Sequence, residues 1–318
     1  MLYHIRHITR YRYSAPIRES IMEARMQPRS DGNQRCIEFR LDVAPRARPS
    51  CYQDHLENVV HHFDIPGEHQ ELFLLAESTV EVKPILPLPD ALPHGTWREI
   101  DDLVCDGVFW DLLQPSTFVQ QTPLVEELRS LLGANRAHDP LTTVLHLNRA
   151  LYDAFSYAPQ STRVDSTVDE AISLRRGVCQ DFSHIMIALL RRLGIPARYV
   201  SGYLYHRKEN HDRSEEDASH AWVEVYLPGL CWRGFDPTNN LVVGERHIRV
   251  AAGRDYADVP PTRGVFKGLA ASELGVSVRV SPDPLSITED EQVLLNTVSA
   301  PAPRPSRRLD AQAQQQQQ

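Results

Sequence analysis

The chain has 318 residues, 42% hydrophobic and 24% charged, with a formal net charge of −8. These are ordinary values for a soluble globular protein with a sizeable core, long enough for one large domain or two medium ones. The mild acidic charge is spread along the chain and gives no sign of a nucleic-acid footprint, and no apolar run approaches the ~20 residues of a membrane helix.

The opening stretch "MLYHIRHITRYRYSAP" alternates and has no apolar signal core, so it does not read as a secretion signal. Further alternating runs follow: "CIEFRLDVAP", "NVVHHFDIP" and "ESTVEVKP", separated by turn-rich stretches such as "RSDGNQ". Short strands punctuated by turns predict a small antiparallel β domain over 1–83. The proline-rich stretch "KPILPLPDALPHG" predicts a linker over 84–97.

The period then becomes helical. "TPLVEELRSLLG" has a Thr-Pro start and a Gly stop, and "DPLTTVLHLNRALYDAF" starts Asp-Pro with apolar residues at helical spacing. A third helix is predicted after "RRGV", with Phe182, Ile185, Met186, Leu189, Leu190 and Leu193 on one apolar face and Gly194 and Pro196 as its stop. Strand-like runs "ARYVSGYLY", "HAWVEVYLP", "CWRGFDP" and "SVRVSP" come next. Together these predict an α+β catalytic domain over 98–297, ending in a low-complexity tail over 298–318 that reads as disordered.

Cys179 stands at the first turn of the third helix, where unpaired N–H groups and the positive end of the macrodipole favour a thiolate over a thiol; by position alone it reads equally as a buried, inert cysteine or as a nucleophile. A nucleophile of this kind needs a base, and the base needs an orienting group. His220 heads an alternating strand and Asp236 ends another, so neighbouring antiparallel strands can bring the two together. Asp181 reads as a first-turn helix charge. His184, about 140° around the helix from Cys179, reads as structural. Trp222 and Trp232 read as core before they read as walls of an acyl-binding groove. The charged run "HRKENHDRSEEDAS" reads as a solvated loop, with a lid over the site as the second reading.

"RRGVCQDFSH", "HAWVEVY" and "FDPTNN" closely resemble the cysteine, histidine and aspartate motifs of the bacterial transglutaminase-like family, part of the papain-like fold group. The resemblance covers roughly 155–240, and "YHIRHITRYRYSAPI", "RMQPR" and "DHLENVVHHFDI" resemble that family's N-terminal β domain. One departure is Glu57, where the family usually has glycine, so a different turn is expected there. The resemblance implies a papain-like core, a nucleophile-bearing helix packed on an antiparallel sheet. In it Cys179 is the nucleophile, His220 the general base and acid, and Asp236 the orienting carboxylate.

The expected chemistry is thiol-dependent acyl transfer on a protein or peptide amide through a cysteine thioester. Water as acceptor makes the enzyme an amidase or protease, an amine makes it a transglutaminase, and the sequence does not choose. Two rivals are an N-acetyltransferase, whose nucleophile normally lies much nearer the chain start, and a silent scaffold that keeps the fold without turnover. A peptide glycanase would bring C-x-x-C zinc pairs, which this chain lacks. Histidine, EF-hand and nucleotide-loop motifs are absent too, so neither metal nor cofactor is expected, nor a membrane or nucleic-acid partner. Five cysteines, far apart and odd in number, predict reduced thiols and a cytoplasmic location.

Overall fold

The alternation that opens the chain becomes one long strand, β1 (Leu2–Ala24), followed by β2 (Gln34–Ala44), β3 (Ser50–Gln53) and β4 (Val59–Val82). The computed structural model describes residues 1–207 and 209–286, so the expected tail at 298–318 lies outside the described residues. "NVVHHFDIP" and "ESTVEVKP", read as two strands, are the two ends of β4, which runs antiparallel to β1 with register shifts between Arg12 and Glu19. The turn before β4 closes with Glu57 itself in the left-handed conformation at φ +64°. Glycine would sit there freely; a residue with a Cβ pays roughly 1 kcal/mol.

The helical layer follows: α1 (Thr96–Cys105), α2 (Trp110–Leu113), α3 (Pro123–Leu131), α4 (Pro140–Ala154), then β5 (Ser156–Tyr157), α5 (Val168–Leu174), β6 (Arg176–Gly177) and α6 (Cys179–Arg192). The Thr-Pro and Asp-Pro starts act as expected, since the Thr122 side chain accepts from Val125 N–H and that of Asp139 from Leu141 N–H. A second sheet has the order β10-β9-β8-β7-β11, built from β7 (Ala197–Leu204), β8 (His220–Leu227), β9 (Cys231–Asp236), β10 (Leu241–Val242) and β11 (His247–Gly253).

The last two strands correct the expected domain boundary. The sequence reading assigns everything from 98 to 297 to the catalytic domain. Instead β12 (Thr262–Phe266) and β13 (Ser272–Ser281) both return to β1, pairing with Ser20–Ala24 and His4–Tyr13 respectively. One edge of β1 is taken by β4, and its other edge carries backbone donors and acceptors that need a partner. The alternating C-terminal segments supply it.

A second correction concerns α6. Its periodicity predicts burial on one side, yet every residue from Gln180 to Arg191 is buried, including Ser183, Ile187 and Ala188. The helix passes between the second sheet and helices α3, α4 and α5, so its nominally open face meets other helices. Full burial of each large apolar side chain on it contributes roughly 1.5–3 kcal/mol, and the result is a rigid support for Cys179.

The two sheets meet through a buried cluster in which Tyr3, Ile5, Val80, Val82 and Val278 pack against Tyr203, Ile248 and Val250. Side-chain amides then seal the free edge of β11. Gln34 accepts from Arg249 N–H at 2.8 Å and donates to Arg249 C=O at 2.8 Å, and Asn58 does the same at Ala252, at 2.8 and 2.9 Å. Each amide stands in for a residue of a missing neighbouring strand.

Candidate active site

Cys179 is the first residue of α6, after Val178 in extended conformation at the N-cap. Asp181 holds this turn: its carboxylate accepts from Val178 N–H at 2.8 Å and from the Thr162 hydroxyl at 2.6 Å. Gly177 is needed beside it, because a Cβ there would lie 2.6 Å from the same carboxylate oxygen. Asp181 therefore has the structural part that its position predicts, and burial pushes its carboxyl above the usual range against those two hydrogen bonds. Cys179 is half-buried, with its sulfur on the side of His220.

His220 starts β8 opposite Gly202 of β7. A Cβ at position 202 would sit 2.5 Å from the Trp222 ring and 2.2 Å from Ile248 C=O, so only glycine allows this packing beneath the imidazole strand. The ring is buried and its Nε2 lies 2.8 Å from Asp236 Oδ2. Nδ1 is buried without an aligned hydrogen-bond partner, and the Cys179 thiol is a polar group close enough to act on the ring. Loose alignment of this kind is common before substrate binds.

Asp236 ends β9 and is fully buried. Five donors converge on its carboxylate. Oδ1 accepts from the N–H groups of Thr238 and Asn239 at 3.0 and 3.2 Å. Oδ2 accepts from His220, from Asn239 Nδ2 at 2.9 Å and from His247 Nε2 at 3.3 Å. Burial alone would raise its pKa, but the facing His220 charge and these hydrogen bonds hold it well below the ordinary carboxylate value. Burial likewise disfavours the His220 imidazolium, and the Asp236 charge overrides it, pushing the pKa up to about 10.

Both shifts have consequences for stability. His220 rises from 6.5, so its contribution is complete below about pH 6.5 and is lost as pH climbs through about 10. Asp236 falls from 3.8, so its contribution is complete above that value and is lost as pH drops through the lower folded value. Thermal midpoints of wild type and His220→Gln from pH 5 to 10 should therefore show a wild-type advantage greatest near pH 5–6 and shrinking towards pH 10. An advantage that grows with pH would contradict the buried ion pair.

The structure thus brings Cys179, His220 and Asp236 to one place, and adds two residues that the sequence reading missed, Asn239 and His247. Asn239 lies inside the quoted "FDPTNN" motif and also fastens the charged loop. Its Oδ1 accepts from Arg213 N–H at 2.7 Å, and its Nδ2 donates to Ser214 Oγ at 3.1 Å. Arg213 in turn donates to Tyr152 C=O at 2.7 Å. The loop's second half is therefore tied to the carboxylate and to α4. His184 is structural, buried and stacked on Phe118 at 5.5 Å, with its Nε2 accepting from Tyr256 N–H. Trp222 is core, and its ring meets His247 edge-on at 5.2 Å. Trp232 packs against Phe109 and Tyr226 at the opposite end of the β8–β9 pair, about 20 Å of strand from His220, and does not wall the site.

His220, Asp236 and His247 also form the one group among the described residues with metal-ligand spacing, their ligand atoms lying within 4.8 Å of one another. Each of these atoms already takes part in the hydrogen bonding around Asp236, so the geometry reads as a proton-holding network.

The fold and this geometry agree with known proteins. Residues 3–81 match the bacterial transglutaminase-like N-terminal region and residues 132–237 the transglutaminase-like superfamily. The uncharacterized protein ML0607 of Mycobacterium leprae is 35% identical over 276 residues, 86% of this chain and 96% of that one. The chain belongs to the bacterial transglutaminase-like family. Another member-like sequence is a protein-glutamine gamma-glutamyltransferase of Pseudomonas aeruginosa, 33% identical over 156 residues, 46% of this chain and 23% of that protein. A crystal structure from Cytophaga hutchinsonii, provisionally named a cysteine protease, superposes with a TM-score of 0.70 at 24% identity, over 90% of this chain and 92% of that one. The fold is accordingly the transglutaminase-like, papain-like α+β core, here combined with the family's N-terminal β region. His247 lies ten residues beyond the superfamily match, and the strands β12 and β13 lie further on still.

Proposed function

We propose that this transglutaminase-like protein is a thiol enzyme that transfers acyl groups from protein or peptide amides. The observation that carries the reading is the buried His220 ring, bonded to Asp236 through Nε2 and left with Nδ1 for the Cys179 sulfur. With the thiol proton already held on the His220 imidazolium, the Cys179 thiolate attacks the amide carbonyl, forming a tetrahedral oxyanion beside the first N–H groups of α6. As the carbon–nitrogen bond breaks, His220 returns the proton to the departing amine and a Cys179 thioester remains. The acceptor then loses a proton to His220, attacks the thioester, and the thiol is regenerated. With water the product is an acid; with a primary amine it is a new amide. Asp236 holds the imidazole orientation throughout and stabilises its charge. No step calls on a cofactor or metal.

The Pseudomonas aeruginosa relative, named a protein-glutamine gamma-glutamyltransferase, supports a glutamine side chain as the donor amide. All five cysteines are free thiols, which supports the reducing cytoplasm as the compartment. Among the described residues no helix is long and apolar enough to cross a membrane.

Iodoacetamide labelling tests the thiol directly. Wild type should label fast at Cys179 below pH 8, and His220→Ala should slow that labelling by about tenfold or more. Labelling at the rate of an ordinary free thiol, unchanged by the His220 substitution, overturns the reading. A glutamine peptide incubated with and without a primary amine then distinguishes transfer from hydrolysis.

A further inference from the structure

The Asp236 carboxylate is held by a second imidazole whose chemistry the acyl-transfer reading does not use. His247 heads β11, the edge strand of the catalytic sheet, and its ring is buried beside Trp222 and His220. Its two nitrogens face opposite kinds of group. Gly244 N–H points at Nδ1 from 3.5 Å, so Nδ1 is an acceptor and carries no proton. Nε2 must then bear the hydrogen, and it faces Asp236 Oδ2 at 3.3 Å.

We propose that His247 is a positioning residue for catalysis: an imidazole whose Nε2–H holds the Asp236 carboxylate in the orientation that aligns His220 with Cys179. This rests on the acyl-transfer reading above.

Three features make the assignment physical. First, Oδ2 is the very oxygen that binds His220, so rotation of the carboxylate would move the base, and His247 and Asn239 oppose that rotation from two sides. Second, a charged imidazolium here would compete with His220 for Asp236. Burial disfavours the charged form of His247 more than Asp236 favours it, so the positive charge stays on His220. The groups facing it are Asp236 on β9, His220 on β8 and Arg246 just before β11; its register partner on β7 is Leu204, which does not titrate. Arg246 is itself neutralised by Asp212 at 2.6 Å. Third, β11 cannot drift, because Gln34 and Asn58 of the N-terminal region clamp its outer edge. The N-terminal sheet thereby stiffens the strand that positions the catalytic carboxylate.

Two measurements test this. In nitrogen-15 NMR of the wild-type protein at about pH 7, His247 should be neutral with its hydrogen on Nε2, while His220 carries the proton. An Nδ1–H tautomer, or a doubly protonated His247 ring, overturns the proposal whatever the enzyme's substrate. In kinetics, His247→Leu should lower kcat roughly 10- to 100-fold with KM changed less than about twofold, since orientation and not binding is lost. His247→Gln, which keeps an N–H donor, should recover most of that loss. An unchanged kcat in the leucine variant, or no recovery with glutamine, sinks the positioning role. Should the leucine variant not fold, the tautomer measurement decides alone. If Cys179→Ala keeps full turnover, the acyl-transfer reading fails separately from this one.

Discussion

Replacing Cys179 with alanine should lower amide turnover by at least about 10⁴-fold, because no other group on the first turn of α6 can form the thioester. The neighbouring side chains are already committed. Gln180 donates to Val164 C=O at 2.9 Å, Asp181 caps the helix, and the Ser183 hydroxyl donates to Cys179 C=O at 2.8 Å. The fold should hardly respond. Cys179 is half-buried at a helix start, and exchanging a thiol for a hydrogen there removes one small contact, worth less than about 1 kcal/mol. Turnover of a glutamine peptide and a thermal melt on the same sample check both halves. Retained turnover would place the chemistry elsewhere; a collapsed melt would show that the sulfur has a packing role that its exposure does not suggest.

Asp236→Asn should be the more damaging change to the molecule as a whole, although the shape is nearly the same. The carboxylate presents two acceptor oxygens, and donors converge on both of them. An amide presents only one acceptor. Turned one way, its NH2 faces His220, Asn239 and His247; turned the other, it faces the N–H groups of Thr238 and Asn239. Either orientation leaves buried donors unsatisfied and leaves the imidazolium without its counter-charge. Breaking a buried ionic contact in this way costs roughly 3–5 kcal/mol. Turnover should fall about 10⁴-fold as well, since the wrong His220 tautomer is then favoured. Denaturant unfolding and single-turnover kinetics would measure the two losses. A variant as stable as wild type, or with turnover within about tenfold of it, would refute the picture of a fully donated, ionised Asp236.

How far the site could be read in advance differs from residue to residue. Cys179 is legible because helix signals are local: a glycine before it, a periodic face after it and a glycine-proline stop place it within a residue of its observed position. His220 and Asp236 are legible only as ends of strands that ought to be neighbours. His247 shows where this stops. It heads an alternating run, "HIRVAAG", much as His220 heads "HAWVEVY", and nothing local separates the two. What separates them is a register: β11 joins the sheet through β7, placing its first residue opposite Leu204 and so within reach of Asp236.

The sequence by itself determined α3, α4 and α6 with their start and stop signals, several of the alternating strands and the order of three chemically suggestive motifs, since each depends on residues within one or two turns or a few strand positions of each other. Tertiary structure alone decided that β12 and β13 return to β1, that α6 is buried all round, and that Asn239 and His247 share Asp236 with His220. Those outcomes depend on which backbone edges and faces remain unpaired once distant segments meet, and pairing across more than a hundred residues leaves no periodic trace in the chain.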